Sequence, residues 1–131
     1  MTENNHRTYR LLIIDDESIV GKRLDQTFTK QGFAVAAFTD PVLALEAARK
    51  EPFDIVVTDL KMQQLDGLEV LRRAKVINPE CRVIIITGYA EMDTADTAFS
   101  EGVFDFIPKP FRIDQIKETI LRAVKDINGE Q

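Results

Sequence analysis

The chain has 131 residues, of which 44% are hydrophobic and 30% charged, with a net charge of −5 at pH 7. That length suits one domain with a real core, and the acidic balance argues against a nucleic-acid-binding surface in this chain. A lone cysteine, Cys81, excludes an internal disulfide framework and reads as a structural residue. No apolar run approaches the roughly 18 residues of a membrane span, and Met1 to Arg10 holds no secretory apolar segment, so the expected setting is the cytoplasm, without a membrane partner.

Apolar runs alternate with amphipathic stretches, the pattern of repeated βα units on a parallel sheet. Residues 1–9 read as a flexible N-terminus, 10–127 as one domain and 128–131 as a tail or linker stub. The first strand is predicted over Arg10–Ile14. The first helix follows over Glu17–Gln31, with Ile19, Val20, Leu24 and Phe28 as its apolar stripe and Gly32 as its cap. A short second strand is predicted over Ala34–Ala37. Asp40 then serves as N-cap and Pro41 as first residue of the second helix. Leu43, Leu45, Ala47 and Ala48 supply its apolar positions, and Pro52 ends it.

The third strand covers Ile55–Thr58. The third helix starts near Gly67, buries Leu68, Leu71 and Ala74, and stops at Asn78-Pro79. The fourth strand is Arg82–Ile86 and the fourth helix Ala90–Ser100, with Gly102 as its cap. The fifth strand is Val103–Ile107. The fifth helix is Ile113–Ile127, where Ile113, Ile116, Ile120, Ala123 and Ile127 recur by threes and fours. Strict alternation with right-handed crossovers gives a doubly wound five-stranded parallel sheet with helices on both faces. The flavodoxin-like strand order 2-1-3-4-5 is taken from a known example of such sheets.

Four of the five strand runs deliver a polar group at the C-terminal end: Asp15-Asp16, Asp59, Thr87 and Lys109. Ligands of open parallel sheets bind outside those ends, so three carboxylates, a hydroxyl and an ammonium should converge. Hard oxygen ligands suit Mg²⁺, and a carboxylate can attack phosphorus to form an acyl phosphate. Read singly, Asp15-Asp16 could cap the first helix, Asp59 could be ligand, nucleophile or surface residue, and Thr87 and Lys109 could be ordinary. Pro108 and Pro110 flank Lys109 and restrict its backbone; a cis Lys109-Pro110 bond is expected.

Ile14-Asp15-Asp16-Glu17, Asp59-Leu60-Lys61-Met62, Leu65-Asp66-Gly67, Thr87-Gly88-Tyr89-Ala90 and Phe106-Ile107-Pro108-Lys109-Pro110-Phe111 occur in that order. Together they resemble the receiver domain of two-component response regulators, over about Arg10 to Ile127. The segment Thr87 to Phe111 most resembles receivers of transcriptional regulators that carry an ATPase module. The resemblance implies that Asp59 is the phosphoacceptor, supplied by a sensor histidine kinase or a phosphotransfer protein. It implies a Mg²⁺ site, able to take Mn²⁺, at Asp15, Asp16, Asp59 and the Lys61 backbone carbonyl. Thr87 and Lys109 would contact the phosphoryl group.

Thr87 and Phe106 would form the switch, the alternative for Phe106 being a static core residue. The output would lie on the helix 4, strand 5, helix 5 face, which carries Glu91, Asp93, Asp96, Asp105, Arg112 and Lys117. That face would meet an effector domain or protein, or a second copy in a homodimer. The protein would thus be a signalling switch rather than an enzyme, catalysing only its own phosphorylation and dephosphorylation.

Lys61 and Tyr89, two residues past Asp59 and Thr87, are expected to tune the phosphorylated lifetime by obstructing water. Two departures from the family pattern stand out. Gln63-Gln64 follow Met62 where many members have Met-Pro, which leaves that turn freer. Phe106 replaces the Tyr of some members and can rotate only for packing reasons. An aspartyl phosphatase of the haloacid-dehalogenase type would need an Asp at position 61. A flavin module would need a Ser/Thr/Gly-rich loop where Asp15-Asp16-Glu17 stands. A receiver-like interaction module that works without phosphorylation is the remaining alternative.

Overall fold

The computed structural model describes residues 7–88 and 92–130. Its elements in chain order are β1 (Arg10–Ile14), α1 (Ser18–Lys30), β2 (Ala34–Phe38), α2 (Pro41–Lys50) and β3 (Ile55–Asp59). Then come α3 (Gly67–Ile77), β4 (Arg82–Thr87), α4 (Met92–Ser100), β5 (Asp105–Pro108) and α5 (Ile113–Ile127). The strands pair in parallel, as the alternation predicts, in the order β2-β1-β3-β4-β5 of the known example. No helix among the described residues is long and apolar enough to cross a membrane.

The central strands are buried on both faces, which is why their sequences are continuous apolar runs. Leu12, Ile14, Val56, Val83 and Ile85 point to one side and meet Ala44, Leu45, Leu71 and Ala74 of α2 and α3, with Ala98 of α4. Leu11, Ile13, Ile55, Val57, Ile84 and Ile86 point to the other and meet Leu24 and Phe28 of α1 and Ile116, Ile120 and Ala123 of α5. Burying each such Leu, Ile or Phe contributes about 1.5–3 kcal/mol. Cys81 belongs to the first cluster; burial pushes its thiol up to about 11, as expected of an inert structural residue.

Several expectations need correction. Ile19 is 73% exposed and lies off the buried stripe of α1, which comprises Gly21, Leu24 and Phe28. Leu43 is 51% exposed, while Ala44 takes the buried position beside it. β5 begins at Asp105 rather than Val103, because the Val103 amide bonds back to the Ala98 carbonyl at 3.0 Å and closes the end of α4. β3 and β4 each run one residue further, so Asp59 pairs with Ile86 and Thr87 with Pro108 inside the sheet. The predicted helix start at Ala90 lies outside the described residues. Apart from these corrections, Arg7 bonds Asp54 at 2.7 Å and Tyr9 bonds Asn128 at 2.5 Å. Residues 1–6 lie outside the described residues.

Helix starts place the loops around the strand ends. Asp40 accepts from the Val42 amide at 2.9 Å and Asp66 from the Glu69 amide at 2.9 Å. Capping bonds of this kind are worth about 1 kcal/mol. Asp66→Ala is therefore expected to lower stability by about 1 kcal/mol in urea unfolding, with no change in the slope of the transition.

Candidate functional site

β1 ends at Ile14, so Asp15 and Asp16 both lie past the strand and the two neighbours can reach one site. Asp15 is buried, its amide donating to the Phe38 carbonyl at 3.1 Å and its Oδ1 accepting from the Glu17 amide at 2.8 Å. It therefore also caps the turn into α1, one of the two roles open from sequence. Asp16 is exposed. Asp59, at the last position of β3, is buried, and its Oδ1 accepts from the Leu60 amide at 3.0 Å. One carboxylate oxygen from each of Asp15, Asp16 and Asp59 lies within 4.8 Å of the others.

Lys109 reaches this cluster from the loop after β5. Its Nζ stands 3.5 Å from Asp59 Oδ1, 3.9 Å from Asp15 Oδ2 and 3.9 Å from Glu17 Oε1. Its amide donates to the Thr87 carbonyl at 2.6 Å, which ties the ends of β4 and β5 together. The Lys109-Pro110 bond is cis, as expected. Thr87 is buried at the end of β4. Phe106 is half-buried and packs against the cluster formed by α2, α3 and α4. Lys61 is exposed in the loop after β3. Tyr89 and Glu91 lie outside the described residues, as does the side chain of Asp93.

Crowded carboxylates in a buried site bind protons too readily. Burial pushes Asp15 from 3.8 up to about 6, opposed by the Glu17 amide and reinforced by the Asp59 charge. Asp59 is also raised, again chiefly by burial; Lys109 opposes the rise and Asp16 adds to it. One ammonium does not neutralise three carboxylates. The donor set is all hard oxygen, dense, and open to solvent on the Asp16 side, which fits a divalent cation that keeps several waters.

Two features escaped the sequence. Glu17 belongs to the acidic run, but only the fold shows it facing Lys109. Gly67 is needed for space: a Cβ there would lie 2.7 Å from the Asp59 carbonyl oxygen and 2.9 Å from Leu60 Cα. The Asp66-Gly67 pair signals a turn and nothing about that approach. Gln63 and Gln64 line a cleft of about 350 Å³ with Asp16, Thr39, Asp40, Pro41 and Met62, beside the carboxylates.

The family profile described as the response regulator receiver domain matches residues 11–121. The DNA-binding transcriptional regulator NtrC of Proteus hauseri is 35% identical over 112 residues, covering 86% of this chain and 24% of that protein. Sporulation initiation phosphotransferase F of Bacillus subtilis is 35% identical over 111 residues, covering 85% of this chain and 90% of that protein. A response regulator receiver domain from Clostridium thermocellum superposes with a TM-score of 0.83 at 31% identity, covering 90% of this chain and 95% of that one. The chain thus spans about a quarter of the regulator and most of the phosphotransferase.

Proposed function

Because the chain belongs to the response regulator receiver domain family, we propose that it takes a phosphoryl group onto Asp59 from a phosphohistidine donor and passes the change to an output. The observation that carries this reading is a buried carboxylate at the end of β3, flanked by two further carboxylates and by an ammonium 3.5 Å away. Asp15, Asp16, Asp59 and the Lys61 carbonyl would hold Mg²⁺, or Mn²⁺ in its place. When bound, the cation supplies the positive charge that phosphoryl transfer needs at the equatorial oxygens.

The chain's own groups do the rest. The Leu60 amide fixes the rotation of the Asp59 carboxylate. A carboxylate oxygen forms the new bond to phosphorus as the donor's P–N bond breaks, and the leaving imidazole keeps the bonding pair and takes up a proton. Lys109 shifts from carboxylate to phosphoryl oxygen, and the Thr87 hydroxyl donates to another. The phosphoryl group adds about −1.5 to −2 charges. Through Thr87 and Phe106 it would bias the α4, β5, α5 face, where an effector domain, an effector protein or a second copy would dock. The working compartment is the cytoplasm.

The test is intact mass after incubation with acetyl phosphate, with and without Mg²⁺, beside Asp59→Asn. The expected result is a gain of one phosphoryl group that needs the cation and is absent from the variant. No gain in either condition would sink the reading in favour of an interaction module that works without phosphate. Lys61 and Tyr89 stand two residues past Asp59 and Thr87 in sequence, the positions read as obstructing water, so Lys61→Asn with Tyr89→Ala is expected to speed hydrolysis of the phosphorylated protein. Decay of the mass gain measures it, and an unchanged or slower rate would dismiss the role.

A further inference from the structure

Asp16 is the exposed member of the three clustered carboxylates and also a wall of the cleft of about 350 Å³. The loop after β2 brings Thr39 and Asp40 to that cleft, and the loop after β3 brings Gln63 and Gln64. Asp40 caps α2 through Oδ1, which accepts from the Val42 amide at 2.9 Å, and its Oδ2 is left as an acceptor. The side chains of Asp16, Thr39, Gln63 and Gln64 make no hydrogen bond or ion pair with any described residue. Among the described residues, no Lys or Arg lines the cleft.

The walls thus offer carboxylate oxygens from Asp16 and Asp40, amide oxygens from Gln63 and Gln64, and the Thr39 hydroxyl. Such a negative, acceptor-rich surface repels anions and suits groups that donate hydrogen bonds. At about 30 Å³ for each water, the cleft holds about ten of them. Mg²⁺ gives up its waters reluctantly and keeps several when carboxylates bind it. A metal-bound water turns its oxygen to the ion and its hydrogens outward, toward acceptors. Groups that hold a metal's ligands in place tune the affinity of the site.

We propose that Gln63 and Gln64, with Thr39 and Asp40, cradle the water shell of a divalent cation bound at Asp16, and so favour a strongly hydrated ion, Mg²⁺, over Ca²⁺. This rests on the reading of Asp15, Asp16 and Asp59 as cation ligands, and needs no phosphorylation. Ca²⁺ sheds water readily and takes about six to eight oxygens in flexible geometry, so less of its binding depends on acceptors for bound water. The two glutamines are positioning residues: they act on the ion through its waters.

The test is cation binding to the full, unphosphorylated chain. Free Mn²⁺ is followed by its paramagnetic resonance signal, with Mg²⁺ and Ca²⁺ as competitors. Gln63→Ala with Gln64→Ala should weaken Mg²⁺ by about three- to tenfold, less than the loss of a buried partner costs, because the cleft is open to solvent. Ca²⁺ should weaken by less than about twofold, so the preference for Mg²⁺ falls. Gln63→Met with Gln64→Met keeps the bulk and removes the acceptors, and should behave in the same way. In both double variants, oxygen-17 relaxation should show faster exchange of the waters bound to Mn²⁺, while Gln31→Ala, an exposed glutamine in another loop, matches the native protein. Equal Mg²⁺ affinity and water exchange in native and variant proteins would overturn the cradle, as would equal weakening of Mg²⁺ and Ca²⁺. Binding that Asp16→Asn abolishes but neither double variant alters would leave the cation site standing without the cradle. A native protein that bound no Mn²⁺ would overturn both.

Discussion

Asp15→Asn will make the cation-free protein more stable at neutral pH and will remove most of the stabilisation that Mg²⁺ gives. Burial raises Asp15 from 3.8 to about 6, so the folded state holds that proton more tightly than the unfolded chain does. The cost of ionising the carboxyl is absent below about pH 4, grows through the window between 4 and 6, and is complete above it. The shift alone would set that cost near 3 kcal/mol. Solvent at the open Asp16 side reduces it to about 1–2 kcal/mol. Stability of the native protein without cation should therefore fall as pH rises from 4 to 6, and this component should be missing in Asp15→Asn. Mg²⁺ at about a hundred times its dissociation constant should restore about 2.7 kcal/mol to the native protein. Urea unfolding across that pH range, with and without the cation, reads all of these effects. Parallel curves for the two proteins would show that Asp15 carries no such cost.

Gly67→Ala will lower stability by about 2–3 kcal/mol, a fall in Tm of roughly 7–11 °C for a chain of this length. The added methyl would sit 2.7 Å from the Asp59 carbonyl oxygen and 2.9 Å from Leu60 Cα. Both neighbours are backbone, so neither can turn aside as a side chain would. The Gly67 amide also donates to the Leu60 carbonyl at 2.7 Å, which fixes α3 against the end of β3. Relief of the clash must shift the backbone beside Asp59, so phosphorylation from acetyl phosphate should slow as well. Gly21→Ala is the control: a Cβ there meets only Ala37 Cβ at 3.7 Å, an ordinary contact, inside a helix. Relief of glycine's entropic cost should make that change stabilising by about 0.5–1 kcal/mol. Equal melting of both variants would show that the space argument is wrong.

The strand ends were legible because apolar runs of buried parallel strands finish abruptly at a polar residue, and the βα alternation says which ends share an edge. Asp15, Asp59, Thr87 and Lys109 follow from that logic. The cap at Asp40 is local chemistry and was equally readable, whereas Asp66 read only as part of a turn and its bond to the Glu69 amide came from the structure. Ile19 misled because an apolar residue one position from a stripe resembles a member of it; only the angle of α1 against β1 and β2 decides. Val103 misled because its strand-like neighbours say nothing of a bond back to Ala98. The two bonds from Arg72 to Glu101 join residues 29 apart, and the crowding at Gly67 sets the start of α3 against the end of β3. Such contacts are set by how elements pack, so no local pattern announces them.

The central claim is that Asp59 itself carries the phosphoryl group. Its most direct test is borohydride reduction of the protein after acetyl phosphate treatment, followed by peptide mass spectrometry. An acyl phosphate is reduced to the alcohol with loss of phosphate, so residue 59 should be found as homoserine, in proportion to the prior gain in mass. Homoserine at Asp15, Asp16 or another position, or unaltered Asp59 in a protein that had gained the phosphoryl mass, would contradict the account.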